Sequence, residues 1–215
     1  RQRQMCIRDR DILQMKLKLP DEVEALKKSQ LCMNRLTDEV DRVLKSSQLA
    51  SGKITMVPEK IDLSEAIKEC CDELSPLAEA RSVELLFEPK NSICISADAF
   101  WLPQAISNII KNAVEHTARG TAVNVIIKDC IQNIEVRIED HGAGIPEDEL
   151  PLMFERFHRG AAAKAGYGIG LSMANDIVRA HHGSIRVVNM QTGAAFTITL
   201  PVLDGTKPYL DAEGD

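Results

Sequence analysis

The sequence predicts an α+β fold, a two-layer sandwich in which a mixed sheet carries three helices on one face, preceded by a separate N-terminal helix. Three observations carry this expectation. After residue 50, three amphipathic helical patterns are interleaved with short runs of alternating apolar residues. Striped helices and one-faced strands bury both apolar surfaces by stacking in two layers. The chain has 215 residues, 44% of them hydrophobic, which suits one ordinary domain and an extension.

The elements follow in order. The opening "RQRQMCIRDR" lacks an initiator Met, and "MCIRDR" is similar to the translation of a transposon-end sequencing adapter. Residues 1–10 are therefore set aside as an expected assembly artefact, with the natural protein expected to extend upstream. From Pro20 to about Ala50 the pattern is helical. Leu26, Met33, Leu36, Val40 and Val43 make an a/d seam flanked by charge, which one helix cannot bury alone. "SGK" at 51–53 ends it.

"ITMVPEKIDL" is a short extended segment. "DLSEAIKECCDELSPLAEA" is an amphipathic helix with Asp62 or Ser64 near its cap. "SVELLFE" and "SICISA" are strands around a turn that includes "EPKNS". "DAFWLPQAISNIIKNAVEHT" is a second helix, with Pro103 tolerated near its start. "TAVNVIIKD" and "QNIEVRIED" alternate and read as a hairpin. A loop of about 30 residues, near 140–169, interrupts the pattern; loops of that length are usually functional or mobile. "GLSMANDIVRAHHG" is a third helix ended by Gly183. "SIRVVNM" and "AAFTITLP" form the last strand pair, and residues 205–215 are a tail.

Composition narrows the function. A net charge of −6 and no dense Lys/Arg tract argue against a nucleic-acid partner. No apolar run reaches the ~20 residues that span a bilayer, and no secretory signal is visible. The six cysteines show no CxxC or metal spacing, so scattered thiols point to the reducing cytoplasm.

On a helical wheel, Ile106, Ile109, Ile110, Ala113, Val114 and Thr117 fall on one side of the second helix. Gln104, Asn108, Lys111, Asn112 and Glu115 fall on the other. Asn108 and Asn112 are i,i+4 neighbours although Asn is a poor helix former. Their amide oxygens suit Mg²⁺ beside phosphates; a solvated polar face is the plain alternative. Asp140, at the end of a strand, could accept a hydrogen bond from an exocyclic amine. Gly142 and Gly144 would let the backbone pass beside a flat ring, or simply turn into "IPEDEL". A dinucleotide fingerprint fails, because Glu147 replaces its third glycine and no βαβ unit follows. A P-loop fails for lack of GK[ST]. Phe154 and Phe157 could anchor a mobile lid carrying Arg159 and Lys164, which reach a γ-phosphate or remain solvated. "GYGIGL" opens a helix, where free N–H groups favour an anion.

The ordered set "NIIKN", "DHGAGI", "FERF" and "GYGIGL" resembles the N, G1, F and G2 boxes of sensor histidine kinases, within the wider GHKL family that has the Bergerat ATP-binding fold. Each box is weak alone; four in order are specific. The resemblance implies a catalytic and ATP-binding domain over 51–204, and the second helix of a dimerisation and phosphoacceptor hairpin within 11–50. It implies ATP and Mg²⁺ as cofactors, with Asn108 and Asn112 on the metal and Lys111 on the phosphates. Asp140 would select adenine, Gly142, Gly144 and Ile145 would shape its pocket, and Phe157 would begin a lid reaching to Gly168. Arg159 or Lys164 would offset γ-phosphate charge, and Gly166, Gly168, Gly170 and Leu171 would border the phosphates. Implied partners are the protein's own phosphoacceptor domain, as a homodimer, and the receiver domain of a response regulator. Any membrane anchor would lie in upstream segments.

Hydrolytic members of that wider family place a Glu four residues before the second Asn, as general base for water. Asn108 stands there and cannot take a proton, which implies ATP held for another nucleophile. Two departures stand out. Glu115 occupies a position where many histidine kinases have Lys or Arg. The five histidines (His116, His141, His158, His181 and His182) all fall in the ATP domain, so the acceptor histidine and autophosphorylation are expected to be missing from this chain. His116 reads as a pocket-edge or packing residue, and His181 and His182 as partners of a helix C-terminus. The alternatives are an anti-sigma-type serine kinase and a degenerate nucleotide-binding scaffold.

Overall fold

The computed structural model describes Met33, residues 56–158 and residues 168–202. The chain divides into two units, Arg1–Ser47 and Gln48–Asp215. In the first, Met33 is helical and exposed. The rest of the expected seamed helix, the adapter-like segment, Arg159, Lys164, Gly166 and the tail lie outside the described residues.

In the second unit, strand β1 (Pro58–Asp62) runs into helix α1 (Leu63–Ala80). Asp62 is the cap, its carboxylate accepting the N–H groups of Ser64 and Glu65. Ser64 is not the cap. Its hydroxyl donates to Asn91 O and accepts Ile93 N–H, pinning the chain that leads to Cys94. Then come β2 (Glu84–Phe87), β3 (Cys94–Asp98) and α2 (Trp101–His116). The hairpin strands β4 (Ala122–Asp129) and β5 (Asn133–Glu139) follow, then a single 3₁₀ turn at Leu150–Leu152. Helix α3 (Gly170–Ala180) and strands β6 (Ser184–Asn189) and β7 (Ala194–Pro201) complete the unit.

The main sheet has the order β2-β4-β5-β7-β6, with β2 parallel to β4 and the remaining pairs antiparallel. Its mixed character and three helices match the expectation. The partners of β2 and β3 are left open by their alternation. The two strands flank one turn in sequence but join different sheets, β3 pairing with β1 in a two-stranded ribbon. Alternation along a strand reports which face is buried, not which neighbour completes the ladder.

The helix-facing side of the sheet is apolar with period two. Ile134, Val136 and Ile138 of β5 lie opposite Leu200, Ile198 and Phe196 of β7, and all six are buried. Against them pack Leu102, Ile106, Ile109, Ile110, Ala113 and Val114 of α2, all fully buried, with Ile177 and Val178 of α3. Burying each of these larger side chains contributes roughly 1.5–3 kcal/mol. The apolar stripe assigned to α2 thus faces the core, so its opposite face is turned outward.

Helix α3 ends at Ala180, earlier than the sequence suggests. His182, at φ +60°, takes the left-handed conformation expected of Gly183. Gly183 N–H donates to Val178 O, closing the turn.

Candidate functional site

The outward face of α2 carries Asn108, Lys111 and Asn112, all half-buried. The Asn108 amide faces the opening turn of α3: a Cβ placed on Gly170 would lie 3.8 Å from Asn108 Oδ1. Among the described residues, Asn108 Nδ2 is buried with no hydrogen-bond partner. Asn112 follows one turn later on the same face. Lys111 Nζ lies 3.9 Å from Glu115 Oε1, each side chain about one-third exposed. The acidic residue at 115 is therefore balanced by its own helix neighbour, in a pair too open to contribute much stability.

Asp140 follows the last residue of β5 and is only 4% exposed. Its Oδ1 accepts Gly142 N–H at 2.9 Å and Ala194 N–H at 3.3 Å. Its own N–H donates to Ala194 O. Two backbone donors fix the carboxylate through one oxygen, and no protein donor engages Oδ2 among the described residues. That leaves Oδ2 as an acceptor of set direction.

The start of the loop is joined to the end of α2. Thr117 bridges Gly142, and Thr117 Oγ1 accepts His141 N–H. At Gly142 a Cβ would come within 2.4 Å of His116 O, so only glycine permits this approach. The imidazole Nδ1 of His141 lies 2.9 Å from Ala122 O, and His116 is exposed. Gly144, at φ +77°, abuts the side chain of Asn189, and Ile145 packs on the edge of the core.

Gly168 and Phe157 meet where the two described segments face each other across 159–167. Phe157 N–H donates to Gly168 O at 3.0 Å. Of the two aromatics expected to anchor a lid, Phe154 packs against the core, whereas Phe157 is 68% exposed with φ +63°. The left-handed backbone at 157 turns that ring away from the position an i,i+3 spacing implies. Beyond it, α3 begins at Gly170 with no side-chain cap at its first N–H groups among the described residues, and Leu171 lies against the core. Unclaimed helix N–H groups favour an anion.

The structure therefore brings Asn108 to Gly170, and Asp140 and Gly142 to the end of α2. It also reveals three residues that sequence reasoning missed. Thr117 was read only as part of an apolar stripe. Asn189 and Gly193 belong to a hairpin remote in sequence; turn chemistry signals Gly193, but no local pattern signals contact with Asp140 or Ile145. A separate groove of about 1150 Å³ runs between α1 and β2. Its walls carry Asp72, Glu79, Glu84 and Glu88 against Lys68, a balance that disfavours polyphosphate.

The second unit is thus a two-layer domain with a fixed, buried carboxylate after β5, an amide-bearing helix face and a helix start without a side-chain cap among the described residues. Residues 97–204 match the family described as histidine kinase-, DNA gyrase B-, and HSP90-like ATPase, and the chain belongs to that family. It is 29% identical over 185 residues to the sensor-like histidine kinase SenX3 of Mycobacterium tuberculosis, covering 84% of this chain and 45% of that protein. It is 31% identical over 175 residues to the sensor histidine kinase CusS of Escherichia coli, covering 79% and 36%. Among solved structures, it is similar to the mycobacterial sensor histidine kinase MprB, with a TM-score of 0.60 and 28% identity, covering 66% of this chain and 97% of that one. The chain spans less than half the length of these two curated relatives. Its second unit contains the ATP-binding catalytic domain of the sensor-histidine-kinase type. Among the described residues, no helix is long and apolar enough to cross a membrane.

Proposed function

We propose that this chain binds Mg·ATP between α2, the loop after β5 and the start of α3, and presents the γ-phosphate to a histidine outside its own 215 residues. The observation that carries this is Asp140, buried and anchored through Oδ1 while Oδ2 remains available. Such an oxygen is suited to accept from the exocyclic amine of adenine and would repel the carbonyl that guanine carries there.

The same reading gives the remaining roles. Gly142, Gly144 and Ile145 form the loop beside the base. Lys111 would contact phosphate, with Glu115 tempering its charge. The free N–H groups near Gly170 and Leu171 would face phosphate, Phe157 and Gly168 frame the lid, and Arg159, Lys164 and Gly166 would act from it.

The donors present fit a hard divalent cation. Asn108 and Asn112 offer neutral amides one turn apart, and turning over the Asn108 amide would replace its partnerless Nδ2 with an oxygen. Bound Mg²⁺ would supply charge neutralisation to the polyphosphate. This chain's residues would hold and orient the nucleotide, which is most of what phosphoryl transfer asks of a protein. Asn108 cannot take a proton from water, so hydrolysis would be slow.

The acceptor is expected on a phosphoacceptor helix of a homodimeric kinase, with a response-regulator receiver domain downstream and both in the cytoplasm. We assign residues 11–50 to that helical hairpin, 51–204 to the catalytic domain and 205–215 to a tail. None of the five histidines lies in the seamed segment 20–50, so this chain should not label itself.

Calorimetric titration with ATP, with and without Mg²⁺, tests the binding. Micromolar to sub-millimolar affinity, about −5 to −8 kcal/mol, is expected; absence of binding would leave a scaffold. A phosphotransfer assay with a supplied His-bearing dimerisation helix should label that helix. Labelling of a serine-containing partner instead would make this a serine kinase.

A further inference from the structure

The opening stretch of the loop that follows β5, Asp140 to Ile145, is held at both ends by one hairpin. At its start, Asp140 exchanges hydrogen bonds with Ala194: Asp140 N–H donates to Ala194 O at 2.9 Å, and Ala194 N–H donates to Asp140 Oδ1 at 3.3 Å. At its end, Asn189 grips Ile145 with both halves of its amide. Asn189 Oδ1 accepts Ile145 N–H at 2.8 Å, and Asn189 Nδ2 donates to Ile145 O at 2.7 Å. Asn189 and Ala194 are themselves paired across the β6–β7 ladder. The turn between them is closed by Met190 N–H donating to Gly193 O. Gly193, at φ +80°, lies so close to Asp140 that a Cβ there would come within 2.0 Å of Asp140 O.

We infer that Asn189 is a positioning residue for base recognition: with its ladder partner Ala194 it sets the span of the Asp140–Ile145 loop, and thereby the alignment of Asp140 Oδ2 with the base. This rests on the nucleotide reading above. The chemistry required is narrow. One side chain must accept from an N–H and donate to the C=O of the same residue, and among side chains of this length only Asn offers both groups on one planar amide. Asp can accept but places a second negative oxygen against Ile145 O. Ala can do neither. Both bonds lie at the surface, so their loss should leave the buried core intact while freeing the loop.

The test is calorimetric titration of the full chain with Mg·ATP and with Mg·GTP, for the unaltered protein, Asn189→Ala and Asn189→Asp, alongside thermal unfolding without nucleotide. Both variants should lose about tenfold in ATP affinity, and the ATP-over-GTP preference should fall by a similar factor. Their melting temperatures should stay within a few degrees of the unaltered protein. Unchanged ATP affinity and preference in Asn189→Ala would overturn the inference while the nucleotide reading stands. An equal loss for ATP and GTP, with the preference intact, would also overturn it, because a merely structural role weakens both alike. No ATP binding by the unaltered chain would remove the nucleotide reading and this inference together.

Discussion

Nε2 of His181 accepts the backbone N–H of Asp98 at 3.0 Å, joining residues 83 positions apart. Nδ1 of the same ring lies 2.8 Å from Ile177 O. The Asp98 carboxylate meanwhile accepts the N–H groups of Val57, Phe100 and Trp101, satisfying donors at the start of α2. One corner thus ties the end of α3 to the beginning of α2, the two helices that carry Gly170 and the asparagines.

That corner should be acid-sensitive. Burial alone would raise the Asp98 pKa, but the N–H groups of Val57, Trp101 and Phe100 that donate to the carboxylate outweigh it, holding the carboxyl below its ordinary 3.8. A folded-state value below the unfolded one stabilises the protein above the ordinary carboxylate range; this contribution is lost as the pH falls through the lowered value. Asp98→Ala is expected to cost about 1–2 kcal/mol at pH 7, with a shrinking difference toward pH 3, measured by thermal unfolding across that range.

Asp140→Asn separates recognition from folding. The amide oxygen can keep the bonds from Gly142 and Ala194 while the second position turns from acceptor to donor. ATP affinity should fall at least about tenfold, with less than about 1 kcal/mol lost in nucleotide-free stability. A large drop in melting temperature without nucleotide would make Asp140 structural instead.

Asn112→Ala should abolish the gain in ATP affinity that Mg²⁺ provides while leaving weak metal-free binding, read by titration in Mg²⁺ and in EDTA. Retained Mg²⁺ dependence would sink the metal role of this amide.

Gly193→Ala should damage the site from more than 50 residues away. The new methyl meets the Asp140 backbone at 2.0 Å in a left-handed conformation. A loss of about 2 kcal/mol or more is expected, together with weakened ATP binding. Gly120→Ala is the control: φ is +77° there, but a Cβ meets nothing within 4 Å, so only about 1 kcal/mol of backbone strain should appear.

Cys70 and Cys71 should be silent in the native protein. Burial pushes both thiols up to about 12, and neighbouring acidic groups add to the effect. Near neutral pH both remain protonated and poorly nucleophilic. Alkylation followed by peptide mass spectrometry should label the partly exposed Cys94 and Cys130 first, and the vicinal pair only after unfolding.

Local periodicity was enough to determine the three helices, most of the strands and the face of α2 that bears Asn108 and Asn112, because side-chain direction repeats every 3.6 or 2 residues whatever the partner. The position of Asp140 was legible for a similar reason: an acid where the strand's alternation calls for an apolar residue, just before a glycine turn, is an anomaly within one window. Tertiary structure alone decided the rest. It paired β3 with β1, gave the cap to Asp62 and left Phe157 outside the core. It also set Thr117, Asn189 and Gly193 around the loop from segments 23 to 53 residues distant from Asp140. Sheet pairing and loop anchoring depend on which backbone donors meet which acceptors once the layers stack, and that pairing is a property of the whole fold that leaves no period in the chain.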